Sequence, residues 1–159
     1  MNDTNKIEYT EVSMASPMTR DDVINMVNKA RKKKDRIHLN HANLMHSDLS
    51  GLDLRHADLK WTNLECANLE AATLKETDLR DTNFKFANLK KANLIGASLS
   101  WADLREADLR GANLSNAHLY RVLLDGADLT GADLSYVDLS SVDLSRVKLT
   151  NANLHGIKL

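Results

Sequence analysis

The chain has 159 residues with 21 basic and 22 acidic side chains, and its formal net charge of −1 argues against general electrostatic binding to nucleic acid. No stretch approaches the ~20 apolar residues that span a bilayer, and the first ten residues lack the order of a signal peptide. The lone Cys66 cannot form an internal disulfide, so we expect one domain in a reducing cytoplasm.

The N-terminal part of the chain carries no repeat. Residues 1–18 are polar and irregular, and we predict that they form an arm. Thr19 begins a helix pattern over residues 19–36, with acidic residues in the first turn and Val23 and Val27 on one apolar stripe. We expect this helix to cap the apolar end of the array that follows and to block pairing at its edge.

The run KARKKKDR ends this helix with a cluster of cations. Such cations suit the negative end of a helix dipole, and a charge run is usually a solvated face. The alternative is that the run also grips an anionic surface or nucleic acid.

From Leu39 to Leu159 every fifth residue is leucine, and Phe84 is the one exception. In an α-helix, side chains five residues apart differ in direction by about 140°, so these leucines would point to every side of the helix. A flat strand would turn every second one outward. A chain that bends once per repeat points all of them inward, and each turn then buries its apolar residues on the next, as in a solenoid.

Units such as HADLK, CANLE and EADLR place a small residue two positions before the leucine and Asp or Asn just before it. This pattern resembles the A(D/N)LXX repeat of the pentapeptide-repeat family, over residues 37–159. The resemblance implies an all-β solenoid, a right-handed quadrilateral β-helix of about six coils with four units per coil, and the helix predicted over residues 19–36 would be its N-terminal α-helical cap. Leu123 departs from the pattern, and we interpret it as a contact or a local irregularity.

With four units per coil, residues 20 apart stack, so the surface can be mapped. One corner stacks His41, Trp61, Asp81, Trp101 and Arg121. Exposed Trp, Tyr and Arg are typical of binding hot spots, although such rings can also simply shield a corner. The candidate partner-binding residues are Trp61, Arg80, Trp101, Tyr120, Arg121 and Phe86.

The same map stacks lysines on arginines midway along the rod. Like charges opposite each other are unfavourable, which points to a basic patch for an acidic partner. The alternative is that neighbouring acids pair with these cations and the ladders only solubilise the rod. The patch consists of Lys85, Lys90, Lys91, Arg105 and Arg110.

The last repeats stay in register to the final residue, with larger Val and Ile at the inward small-residue position. An open coil edge is a template for another chain, and several members of the resembled family dimerise through their C-terminal coils. We predict a homodimer seam here, with truncation of a longer chain or simple exposure as the alternatives. The seam residues are Val142, Leu144, Val147, Leu149, Leu154, Ile157 and Leu159.

Catalysis has no support in the sequence. The Asp and Asn residues before the leucines suit turn chemistry better than metal binding. The histidines fall on different faces, Cys66 has no histidine beside it, and no glycine-rich phosphate loop occurs. We expect no enzyme, no cofactor and no metal.

The leading functional hypothesis is a rigid module that docks on a protein partner and modulates it, for example as a regulator of another bacterial protein. The resemblance also raises DNA gyrase as a partner, because one class of the family imitates duplex DNA and protects gyrase from quinolones. That class depends on an acidic surface, which this nearly neutral chain does not have. A third alternative is a structural component of a larger assembly.

Overall fold

The computed structural model describes residues 17–159, so the arm predicted over residues 1–18 lies almost wholly outside the described residues. The described part holds one helix, α1, which spans Arg20–Lys33. The remainder is a regular succession of single parallel backbone pairs and turns, without a longer strand in that range.

Helix α1 has a capping interaction at each end. Thr19 is the N-cap, and its hydroxyl accepts from the Asp22 amide while the Asp22 carboxylate accepts in return from the Thr19 amide. The helix ends at Lys33, before the predicted boundary at residue 36. It stops there because Lys34 adopts a left-handed conformation and two amides close back on the last turn.

Helix α1 lies against the first coil. Val23 and Val27 are buried and join the solenoid interior. Arg20, Arg31 and Arg36 donate to main-chain carbonyls along the first turns of the solenoid. These arginine donors therefore bind part of the edge that would otherwise be open. The accepting carbonyls belong to Asp48, Ser50, Asp53, His56 and Ala57.

The solenoid repeats every 20 residues, because each parallel pairing between residues 38 and 158 joins positions 20 apart. The Leu39 amide, for example, donates to the Asp58 carbonyl at 2.8 Å, and the Asp58 amide donates to Ile37 at 2.8 Å. One coil therefore holds four pentapeptides. We number its faces 1 to 4 after leucines 39, 44, 49 and 54 and every twentieth residue beyond them, and each corner after the face that it follows.

Leucines and small residues fill the interior. The leucines from Leu39 to Leu139 and Phe84 are buried, together with the alanines that alternate with them. Threonine replaces alanine at Thr62, Thr77 and Thr82, where each hydroxyl donates at 2.9 Å to a leucine carbonyl of the preceding coil. These departures from the repeat are tolerated because the buried hydroxyl has a partner.

The turns confirm the structural role predicted for the Asp and Asn residues. Each Asp or Asn that precedes a leucine accepts, through its side chain, the amide two residues on, as Asp48 does from Ser50 at 3.0 Å. The corner residue that follows has a positive φ, including Trp61 at 56° and Trp101 at 65°. Apart from the corners at Ser141 and Arg146, the coils therefore turn through the same left-handed corner, and side chains at equivalent corners stack.

Candidate functional site

Corner 1 presents the aromatic residues that the sequence singled out. We call Lys60, Trp61, Asp81, Trp101, Tyr120 and Arg121 the aromatic corner. Trp61 and Trp101 are 49% and 50% exposed, so about half of each ring faces solvent. They lie two coils apart, about 10 Å along the axis at ~4.8 Å per coil.

The upper ring of the aromatic corner, Trp61, is held by two neighbours. His41 stacks on it with ring centroids 4.7 Å apart and an interplanar angle of 14°. The Lys60 ammonium lies 5.0 Å from the Trp61 ring centroid. These contacts hold the ring in place while about half of it remains exposed.

The lower ring, Trp101, is part of a three-residue cluster. Tyr120 meets it edge to face, with centroids 5.8 Å apart. The Arg121 guanidinium lies 4.8 Å from the Trp101 ring centroid and 5.6 Å from that of Tyr120. Arg121 has no carboxylate within ion-pair distance among residues 17–159, and its guanidinium is attracted to the ring faces instead.

Two predicted binding residues lie apart from this cluster. Arg80 points along face 1 and makes two hydrogen bonds to Asp78, each 2.8 Å. Phe86 lies on corner 2 and is exposed. Of the six predicted residues, the structure brings Trp101, Tyr120 and Arg121 into contact.

Leu123 is an exposed apolar residue outside the predicted set of binding residues. It is 49% exposed at the centre of face 2, where other repeats carry Asp or Asn. A groove runs past it between corners 1 and 2 and is lined by Trp101, Arg121 and Arg146. The sequence indicated this residue, because position 123 lacks the Asp or Asn that forms the turn bond at the equivalent positions of face 2.

The basic patch contains its own acids. Asp103 lies between Lys85 and Arg105, at 3.3 and 2.7 Å. The stacked like charges are therefore separated by a shared carboxylate. Asp108 plays the same part for Lys90 and Arg110, at 3.2 and 2.7 Å.

The shared carboxylates make the fold sensitive to acid. The Arg110 side chain hydrogen-bonds to Asp108 and, against the opposing effect of partial burial, lowers the pKa of Asp108 from 3.8 to about 2; the Arg110 amide and Lys90 add to this effect. A folded-state pKa below the unfolded one stabilises the fold above about pH 4, and this stabilisation is lost as the pH falls towards 2.

We therefore expect Asp108→Asn to melt at a lower temperature than the wild type near pH ~7 and to converge with it near pH ~2. Thermal melts followed by circular dichroism across this range measure the difference. An Asp108→Asn variant that stayed equally far below the wild type at every pH would contradict the assignment.

The seam residues line the last coil. Leu154 and Leu159 are exposed, and the others are partly buried against the coil above. Within the described chain, the amides of Leu144, Leu149 and Leu154 have no backbone acceptor, whereas the equivalent amides higher in the rod, except those of Leu119 and Leu124, donate to the next coil. The last coil thus presents both unpaired backbone groups and apolar side chains.

No group of three or more His, Cys, Asp or Glu side chains among residues 17–159 is arranged to hold a metal ion. No helix in that range combines the length and apolar character needed to cross a membrane.

The same repeat is found in a known protein family and in solved structures. A family model described as pentapeptide repeats matches residues 35–65, 62–100, 97–135 and 127–159. The chain is similar to a pentapeptide repeat protein from the thylakoid lumen of Arabidopsis thaliana, with 32% identity, a TM-score of 0.61, and coverage of 62% of this chain and 69% of the other. No curated protein matches the sequence.

Two further solved structures are more distant. HetL, a pentapeptide repeat protein involved in heterocyst differentiation regulation in Nostoc sp. strain PCC 7120, has 26% identity and a TM-score of 0.39, over 84% of this chain and 91% of HetL. QnrB1, a plasmid-mediated fluoroquinolone resistance protein, has 19% identity and a TM-score of 0.44, over 79% and 84%. Because the repeat model matches from residue 35 to residue 159, the chain belongs to the pentapeptide-repeat family and has its right-handed β-helical solenoid fold.

Proposed function

We propose that the protein is a non-enzymatic binding module, a rigid rod that docks on a cytoplasmic protein partner and modulates it. The aromatic corner is the observation that carries this proposal. Two half-exposed tryptophans share one edge of the rod, and Tyr120 and Arg121 lie beside the second. Trp, Tyr and Arg are the residue types that most often dominate binding energy at protein interfaces.

The corner is also pre-organised for docking. His41 holds the Trp61 ring, and Arg121 packs on Trp101 and Tyr120, so these side chains have little rotamer freedom left to lose. Ordering a flexible side chain at an interface costs about 0.5–1.5 kcal/mol, and pre-organisation reduces that cost. A partner that spans about 10 Å along the rod covers both tryptophans.

We expect the double variant Trp61→Ser/Trp101→Ser to lose the partner. Wild type and variant serve as baits in a lysate of the host, and the retained proteins are identified by mass spectrometry. Tyr136→Ser is the matched control, because Tyr136 is an exposed aromatic residue on corner 4. A protein retained by wild type and control but lost by the double variant is the expected result; equal retention by all three baits would exclude the corner.

A gyrase-binding DNA mimic, the alternative function, would require a different surface charge. A mimic of duplex DNA needs acids that remain uncompensated, whereas Asp103 and Asp108 each lie between two cations. The charge pattern therefore favours the docking module. In the same experiment, gyrase subunits on the wild-type bait that also bind the double tryptophan variant would favour the mimic.

The two ends of the solenoid have separate proposed roles. We propose that α1 is a cap, because its arginines and valines bind the edge and interior of the first coil. We propose that a second copy of the chain covers the last coil, whose unpaired amides and exposed Leu154 and Leu159 form an edge suited to pairing. This dimer would present two aromatic corners to the partner.

A further inference from the structure

Four lysines lie together at the C-terminal end of helix α1, and all four are exposed. None of them has a carboxylate within ion-pair distance among residues 17–159. In the basic patch, by contrast, four of the five cations share a carboxylate. The end of α1 is therefore a cluster of uncompensated positive charge. Its members are Lys29, Lys32, Lys33 and Lys34.

The geometry of α1 turns part of this cluster away from the rod. An α-helix advances about 100° per residue, so Lys32 lies about 180° around the helix from Val23, and Lys29 about 200° from Val27. The two valines are buried in the solenoid interior. Lys29 and Lys32 therefore lie on the outer face of α1, beyond the end of the first coil.

The arginines of the same segment have partners within the protein. Arg20 and Arg31 donate to main-chain carbonyls of the first coil, and Arg31 also lies 2.9 Å from the Asp53 carboxylate. Arg36 donates to the carbonyls of His56 and Ala57. The guanidinium groups, which suit bidentate binding of phosphate, are thus occupied, and the ammonium groups of the lysines remain for a partner.

Charge is divided unevenly between α1 and the solenoid. Residues 17–36 carry seven basic and three acidic side chains, a net charge of +4, whereas residues 37–159 carry 13 basic and 16 acidic ones, a net charge of −3. Cations in the last turn of a helix suit its negative end. That role accounts for Lys32 and Lys33, but Lys29 lies before the last turn.

We propose that the lysine end of α1 binds the anionic headgroups of a membrane surface. A flat anionic surface that meets the rod end-on contacts these lysines, while most of the net-negative solenoid lies beyond the Debye length of ~8 Å at physiological salt. The apolar stripe of α1 is already buried on the first coil, so the helix does not insert and the contact is electrostatic. This surface is separate from the aromatic corner.

A nucleic acid is the other common polyanion, and the outer face of α1 suits it less. Residues 17–36 contain no aromatic side chain on which a base could stack, and their arginines already donate to the solenoid. Asn25 and Asn28 are the exposed neighbours of the lysines. A duplex lying along the rod would also meet the net negative charge of the solenoid.

Sedimentation with lipid vesicles tests this proposal on the full chain. One set of vesicles contains phosphatidylserine and phosphatidylcholine in equal parts, and the other contains phosphatidylcholine alone. We expect the wild-type protein to sediment with the anionic vesicles only. Raising the salt concentration should release it, because screening weakens attraction between exposed charges.

Two matched variants locate the binding surface. Lys29→Gln/Lys32→Gln removes two charges from the outer face of α1 and keeps good helix formers there; binding to the anionic vesicles should weaken at least tenfold. Lys90→Gln/Lys91→Gln removes the same charge from the basic patch and should bind within twofold of the wild type. Circular dichroism should show an unchanged fold for both variants, because all four positions are on the surface.

The proposal would be overturned by any of three results with vesicles: no binding to the anionic set, equal binding to the neutral set, or equal losses in the two lysine variants. Retardation of a random-sequence duplex DNA on a gel, without vesicle binding, would assign the lysines to nucleic acid instead. The Trp61→Ser/Trp101→Ser variant should bind anionic vesicles as the wild type does. Its loss of a protein partner therefore tests the docking corner independently.

Discussion

Replacing Leu94 by aspartate should unfold the solenoid. Leu94 is fully buried in the middle of the rod, between Leu74 and Leu114 of the coils above and below, which are buried as well. Truncation of a buried leucine to alanine already costs about 2–5 kcal/mol, and a buried carboxylate without a partner costs more. Typical total stability is about 5–15 kcal/mol, so a single charge at this position is expected to exceed it or nearly so.

Circular dichroism and thermal melting measure this effect. Ile95→Asp is the matched control, because Ile95 is the next residue and lies on the partly exposed corner side of the chain. We expect the control to keep the wild-type spectrum with a small change in melting temperature. A Leu94→Asp protein that melted like the control would show that the leucines do not form the interior.

Leu154→Asp/Leu159→Asp should convert a dimer into a monomer. A two-fold interface at the last coil brings the same residues of both copies together, so two substitutions place four carboxylates in one apolar seam. Leu154 and Leu159 are exposed in the single chain, 38% and 79%, so the substitutions leave the interior of the rod intact. Desolvation of these charges and their mutual repulsion oppose association.

Light scattering after size exclusion gives the mass directly. We expect twice the chain mass of 17.7 kDa for the wild type and a single chain mass for the variant. The Trp61→Ser/Trp101→Ser variant should remain dimeric, because its substitutions lie on corner 1. A monomeric wild type across the accessible concentration range would exclude the seam.

Some surface contacts of this protein could be predicted from its sequence, and others could not. The 20-residue stacking map placed Trp61 and Trp101 on one corner, and the structure confirms it. The map also stacked Lys85 on Arg105 but did not place Asp103 between them, because side-chain direction across coils depends on the completed turn. The apparent repulsion is therefore compensated in the structure.

The backbone conformation of the corner residues is a second feature that the sequence does not predict. Most corner residues have positive φ, including the tryptophans, although that conformation costs a residue with a Cβ about 1–2 kcal/mol. No local preference of Trp or Arg predicts it. The Asp or Asn turn bonds favour it within each turn, and the inter-coil hydrogen bonds, which exist only when neighbouring coils are in place, complete it.

The sequence was enough to predict the repeat, its inward leucines, the turn role of Asp and Asn, and the alignment of residues 20 apart. It could do so because a strict five-residue period has one packing solution that buries every leucine. Contacts between completed coils set which stacked side chains touch, how the cations share carboxylates, and where backbone pairing is interrupted below Leu123. These features depend on distances between coils, and such distances are set by the volumes packed inside the rod rather than by the repeat pattern.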